Sequence, residues 1–147
     1  MAFRECILVD AGNKLQPLGK VMSGVQREDF AARDECLLWT AQIPKRANGK
    51  VIDREKPKIR KFYTQRSRGY SKTSDIALDV IWLLMFCNYK IDGLIVAEDL
   101  EQAQLVIGQA GKIVDANPWL MQFIDVQKKA LVSKVTKGLF KCLSSDL

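Results

Sequence analysis

The chain has 147 residues, 48% of them hydrophobic and 27% charged, which supplies enough apolar material for one globular domain with a true core. Histidine is absent, which excludes a Ser–His base, a Cys–His nucleophile and any histidine-built zinc site, and no apolar run approaches the roughly 20 residues a membrane helix needs. The net charge of +6 is concentrated: residues 45–72 carry eleven Lys/Arg against Asp53 and Glu55, a local excess larger than that of the whole chain.

Residues 6–10 (CILVD) read as a short strand, and residues 11–22, with Gly12, Pro17 and Gly19, as loop. The spacing of Phe30, Ala31, Cys36, Leu37, Leu38 and Ala41 predicts a helix over residues 26–42, ended by Pro44. Residues 47–58, with Asn48-Gly49 and Pro57, read as an exposed loop. Residues 59–65 (IRKFYTQ), β-branched and aromatic, predict a strand. Residues 72–87 predict a strong helix with Ile76, Val80, Leu83, Leu84 and Cys87 on one face and Asp75 and Asp79 on its polar side.

Further along, residues 93–97 (GLIVA) suit a buried parallel strand, and residues 99–114 a helix capped by Asp99. A short helix is expected over residues 119–123. Two weaker strands follow at residues 126–135 and 139–143, joined by a Lys137-Gly138 turn. Alternating strands and helices predict an α/β fold with a parallel sheet flanked by helices. Cys6, Cys36, Cys87 and Cys142 form no CxxC pair and read as reduced, mostly buried thiols; the N-terminus has no signal-peptide core; Trp39, Trp82 and Trp119 are expected in the core.

The segment RSRGYSKT, Arg66 to Thr73, carries the chemistry. A phosphate-binding loop needs a strand leading in, a helix leading out, inward backbone N–H groups, a Lys for the phosphates and a Ser/Thr hydroxyl for Mg²⁺. Lys72-Thr73 stands at the right end, and Gly69 lies where a tight turn needs backbone freedom. The segment departs from GxxxxGK[ST] at both glycines, which are Arg66 and Ser71 here; Ser71 fits if its backbone is helical.

The stretches RSRGYSKTSDIALDVIWLL, GLIVAEDLEQAQLVIGQAGKIVDANPWL and TKGLFKCLSSD resemble the N-terminal ATPase domain of the large terminase subunit of tailed bacteriophages, over residues 25–146. In that family the phosphate loop is often degenerate, with an Arg four residues before the Lys, the place of Arg68 here. The resemblance implies a P-loop NTPase-like domain over residues 25–147, incomplete, behind an N-terminal extension of residues 1–24. It implies ATP and Mg as cofactors. Lys72 would bind phosphates, Thr73 would hold Mg²⁺, and Arg68 would act as an in-chain arginine finger. Arg66, Ser67, Gly69, Tyr70 and Ser71 would complete the loop, and Gln26 (VQREDF) would meet adenine. It also implies double-stranded DNA, a portal and a small terminase subunit as partners, a ring assembly, and a location in the host cytoplasm.

The family's second acidic motif and nuclease carboxylates are not found. The expectation is therefore part of a longer packaging motor that binds nucleotide weakly, does not hydrolyse it alone and exposes an apolar sheet edge. Two other binding readings stay open, ranked ahead of a bare structural α/β domain. One is a complete small NTP-binding protein using Glu98 and Asp99 as its acidic pair. The other is a nucleic-acid-binding α/β domain using the basic loop 45–68, where strand alternation would bury either Phe62 or Tyr63.

Overall fold

A computed structural model describes residues 2–69 and 71–145. The element order is α1 (Ala2–Cys6), β1 (Leu8–Asp10), β2 (Leu15–Pro17), α2 (Leu18–Val21), α3 (Gly24–Thr40), β3 (Lys45–Ala47), β4 (Lys50–Ile52), α4 (Lys72–Phe86), β5 (Asp92–Ala97), α5 (Leu100–Ala116), a 3-10 helix (Pro118–Gln122), β6 (Ile124–Val126), β7 (Ala130–Ser133) and β8 (Leu139–Ser144).

The main sheet has the order β5-β8-β7-β6. β5 and β8 run parallel, joined by a crossover through α5, while β7 is antiparallel to both of its neighbours. The fold is thus α/β with helices flanking a mixed sheet, and parallel pairing is confined to β5 and β8. Helices α4 and α5 supply most of the core, from Ala77, Leu78, Ile81 and Leu84 on one and Ala103, Val106, Ile107 and Ala110 on the other. Gly93 admits the Phe140 ring: a Cβ there would stand 2.2 Å from it.

Asp99 caps α5 as expected, accepting the backbone N–H of Gln102 at 2.7 Å. Helix α3 begins with a reciprocal cap in which Ser23 Oγ accepts from Gln26 N and Gln26 Oε1 accepts from Ser23 N. Residues 2–22 join the same core through Ile7 and Leu18, and the buried Asn117 side chain pairs with both backbone groups of Leu8.

Several expectations are corrected. Residues 59–65 form no strand. Alternation would put Ile59, Lys61 and Tyr63 on one face and Arg60, Phe62 and Thr64 on the other, so neither face is apolar enough to be buried, and β propensity has nothing to act on. The residue 6–10 strand is the end of α1 followed by β1, and the residue 47–58 loop contains most of the β3–β4 hairpin, turned at Asn48 and Gly49, both at positive φ. The residue 126–135 strand divides into the end of β6 and the whole of β7. Trp119 is exposed, set edge-on against Phe3 and Phe123 rather than buried. All four cysteines are free, but only Cys87 and Cys142 are buried.

One face of β5 and β8 is uncovered and largely apolar, with Asp92 and Lys141 among its residues. The register pairs Ile95 with Cys142 toward the helices, which turns Leu94, Val96 and Leu143 outward into solvent.

Candidate phosphate-binding site

Helix α4 starts at Lys72 directly from the turn, so the loop-to-helix junction expected from the sequence forms without a strand before it. Gly69 has φ 87° and Ser71 has φ 55°. Ser71 is therefore left-handed rather than helical, the conformation a glycine would take without strain. Its hydroxyl makes no capping bond; its carbonyl accepts from Asp75 N and Ser74 Oγ, both at 2.9 Å. Thr73 is half-buried in the first turn. The Lys72 ammonium folds back to donate to Arg66 O at 2.7 Å, which closes the loop on itself. Tyr70 lies outside the described residues.

The two loop arginines are separated by their surroundings. Arg66 points inward: Nη1 donates to Asp75 Oδ2 at 2.6 Å, Nε donates to Asp29 Oδ2 at 2.9 Å, and Nη2 also meets Asp29. Arg68 is exposed and makes no ion pair among the described residues. With Gly69, Ser71, Lys72 and Thr73 it borders a hollow of about 550 Å³, closed on the far side by Leu105 and Gln109 of α5. Ser67 is exposed beside it.

Gln26 reaches the same junction from α3. Its Nε2 donates to Asp75 Oδ1 at 2.9 Å, so both oxygens of Asp75 are bound, one by Arg66 and one by Gln26. Gln26, Ser71, Ser74, Gln109 and Lys112 also wall a cleft of about 790 Å³ that shares Ser71, Ser74 and Gln109 with the hollow. The junction thus divides two adjoining spaces, one over the loop and one toward Gln26.

Asp75 and Asp79 are not on a solvated side of α4, as the sequence suggested, but buried. Asp79 accepts from Arg4 Nη2 and Arg33 Nε, each at 2.7 Å, and Arg4 also pairs with Asp34. Burial pushes the Asp75 carboxyl above its ordinary value; hydrogen bonds from Arg66 and Gln26 pull the other way without cancelling it. Burial also works against the Arg66 charge, but the bonds to Asp29 and Asp75 outweigh it and hold the guanidinium protonated. Sequence reasoning missed Asp29, and the buried role of Asp75, because the partners lie 9 to 49 residues apart.

Glu98 and Asp99 stand apart from this junction. Both carboxylate oxygens of Asp99 are taken by Gln102 at the start of α5. The hollow meets α5 first at Leu105, six residues further along that helix. At 1.5 Å per residue the separation along the axis is about 9 Å. Among the described residues, no hydrogen bond or ion pair joins Glu98 or Asp99 to residues 66–73, and no cluster of three acidic or thiol ligands marks a built metal site.

A glycine-permissive turn that opens an α/β core helix with Lys-Thr resembles the turn-to-helix half of a P-loop, without the strand that leads into one. A family model described as the terminase large subunit, ATPase domain, matches residues 49–147, and the chain belongs to that family. The match includes the loop, α4, the whole main sheet and α5, while Gln26 lies before it. No curated protein and no solved structure matches the chain significantly.

Proposed function

We propose that this chain binds ATP with Mg²⁺ at residues 66–73, as the nucleotide-binding part of a viral DNA-packaging ATPase. The observation that carries the reading is the α4 start: Lys72 and Thr73 in the first turn, with Arg68, in no ion pair among the described residues, beside them, all lining one hollow. The helix N-terminus and the loop N–H groups favour phosphate there. The Lys72 ammonium exchanges its bond to the Arg66 carbonyl for β/γ-phosphate oxygens. The Thr73 hydroxyl would hold Mg²⁺, an ion that is commonly bound through few protein ligands and does not require a carboxylate cage. When bound, the metal neutralises phosphate charge.

Arg68 stabilises charge on the transferring phosphoryl group. Ser67, Gly69, Tyr70 and Ser71 supply backbone donors, and Arg66 holds the loop against Asp29 and Asp75. The cleft walled by Gln26 takes the nucleoside, adenine against Gln26.

Activating the attacking water needs a side chain free to position it or accept its proton at the phosphates. Asp75 is bound on both oxygens, and Asp99 is engaged as a cap. Hydrolysis by this chain alone is therefore not expected. In the packaging role the partners are double-stranded DNA, the portal, a small terminase subunit and further copies in a ring, in the host cytoplasm.

Thermal unfolding with graded Mg·ATP tests the reading. Saturating nucleotide at about 100 times Kd stabilises the fold by about 2.7 kcal/mol, and Thr73→Ala removes the Mg²⁺-dependent part. An unfolding temperature that ignores Mg·ATP would overturn it.

A further inference from the structure

Residues 53–65 form neither helix nor strand, yet they are tied down at both ends. Arg54 donates to the Ile43 carbonyl at 2.9 Å and pairs with Glu35; Arg66 is buried between Asp29 and Asp75. Between these ties the six residues 58–63 are all exposed.

Their cations differ from the arginines that anchor the fold. Arg4, Arg27, Arg33, Arg54 and Arg66 each have a carboxylate partner, whereas Lys58, Arg60 and Lys61 have none among the described residues. The adjoining β3–β4 hairpin adds Lys45, Arg46 and Lys50, also exposed and in no ion pair among the described residues. A run of cations alone makes a loop soluble. This run is interleaved with large apolar side chains held in water: Ile59 is 67% exposed, Phe62 38% and Tyr63 88%. Because the expected strand is absent, neither ring is hidden by alternation.

Phosphates satisfy the cations of such a segment, and base faces satisfy its rings. A duplex offers phosphates but keeps its base faces stacked inside, so it leaves Tyr63 without a partner. A single strand offers both. We propose that residues 58–63 are a binding site for single-stranded nucleic acid, without sequence preference, in which Lys58, Arg60 and Lys61 meet phosphates and Tyr63 stacks on a base. The inference rests on the arm alone and stands apart from the nucleotide reading.

The test is anisotropy of a fluorescein-labelled oligothymidylate, and of a duplex with the same number of phosphates, titrated with the full chain at several salt concentrations. The expected result is tighter binding to the oligothymidylate. Tyr63→Ala weakens it about tenfold and leaves the duplex within about twofold. Because Tyr63 is exposed, the substitution leaves the core intact. The triple variant Lys58→Gln, Arg60→Gln, Lys61→Gln lowers the salt slope by about two. Lys72→Ala binds oligothymidylate like the unaltered chain, which separates this site from the phosphate loop. Equal or tighter binding to duplex with no effect of Tyr63→Ala, binding to phosphatidylserine vesicles but not to oligothymidylate, or no binding at low salt would each overturn the proposal.

Discussion

Arg66 and Asp75 meet at 2.6 Å inside the protein, one from the loop and the other from the first buried turn of α4. Their side chains are almost fully removed from solvent. The pair joins the end of the basic arm to the helix that begins at Lys72, and Gln26 and Asp29 extend it to α3. The shape of the proposed phosphate loop therefore depends on a charge contact beneath it.

Arg66→Ala removes one partner and leaves the buried Asp75 carboxyl and the part-exposed Asp29 behind. Breaking a buried pair from one side costs about 3–5 kcal/mol. Urea unfolding should show a loss of that order, whereas substitution of exposed Arg68 should stay within about 0.5 kcal/mol. Equal losses at the two positions would remove the structural distinction between them.

The pH dependence follows from Asp75. Its carboxyl is held above the ordinary value chiefly by burial. The folded chain then keeps this proton where the unfolded chain, with a value near about 3.9, has released it. The stability Asp75 contributes is full below the unfolded value and is lost as pH rises through the folded one. Asp75→Asn abolishes this titration. The difference in unfolding free energy between the unaltered chain and the variant should shift in favour of the unaltered chain as pH falls from 7 toward about 4. A shift the other way would mean that Arg66 outweighs burial.

Ser71 sits at φ 55°, ψ 17° without a capping bond from its side chain. Ser71→Gly removes a left-handed strain of about 1 kcal/mol, offset in part by the entropy of a glycine in the unfolded chain. The melting temperature should rise by about 2–4 °C per kcal/mol gained, with nucleotide binding retained. A fall on calorimetry would show that the serine side chain stabilises the turn.

Asp99→Ala tests whether Glu98 and Asp99 form a catalytic pair. As an N-cap, Asp99 is worth about 1 kcal/mol, and its loss should lower the melting temperature while leaving ATP-analogue affinity unchanged. A drop in nucleotide affinity or turnover at constant fold would favour the acidic-pair reading.

The sequence made the regular elements around the site legible and left its charges hidden. Periodicity located α4 and α5 to within about two residues, and Asp99 announced its own cap. Helix α4, however, is buried on almost every side, at Asp75 and from Ala77 to Leu84, while Ile76, expected inside, is 49% exposed. A one-face reading fails for such a helix, and Asp75 and Asp79 then look solvated. Two acids four residues apart in an otherwise apolar helix were the available signal. Of the arginines that answer them, Arg4 and Arg33 lie 75 and 46 residues away, beyond any local window, and Arg66, nine residues away, is reached only across an irregular turn. Residues 59–65 had strand composition but no strand partner, and pairing is a tertiary fact.

The central claim is that Lys72 and its turn hold the phosphates of a nucleotide. The most direct measurement is titration of a fluorescent ATP analogue with Mg²⁺ into the unaltered chain and into Lys72→Ala, with circular dichroism to confirm that both are folded. Lys72 is exposed, so the variant should keep its fold. Saturable binding by the unaltered chain that is lost, or weakened at least about tenfold (roughly 1.4 kcal/mol), in Lys72→Ala is the predicted result. Equal binding by both, or none by either, would contradict the claim.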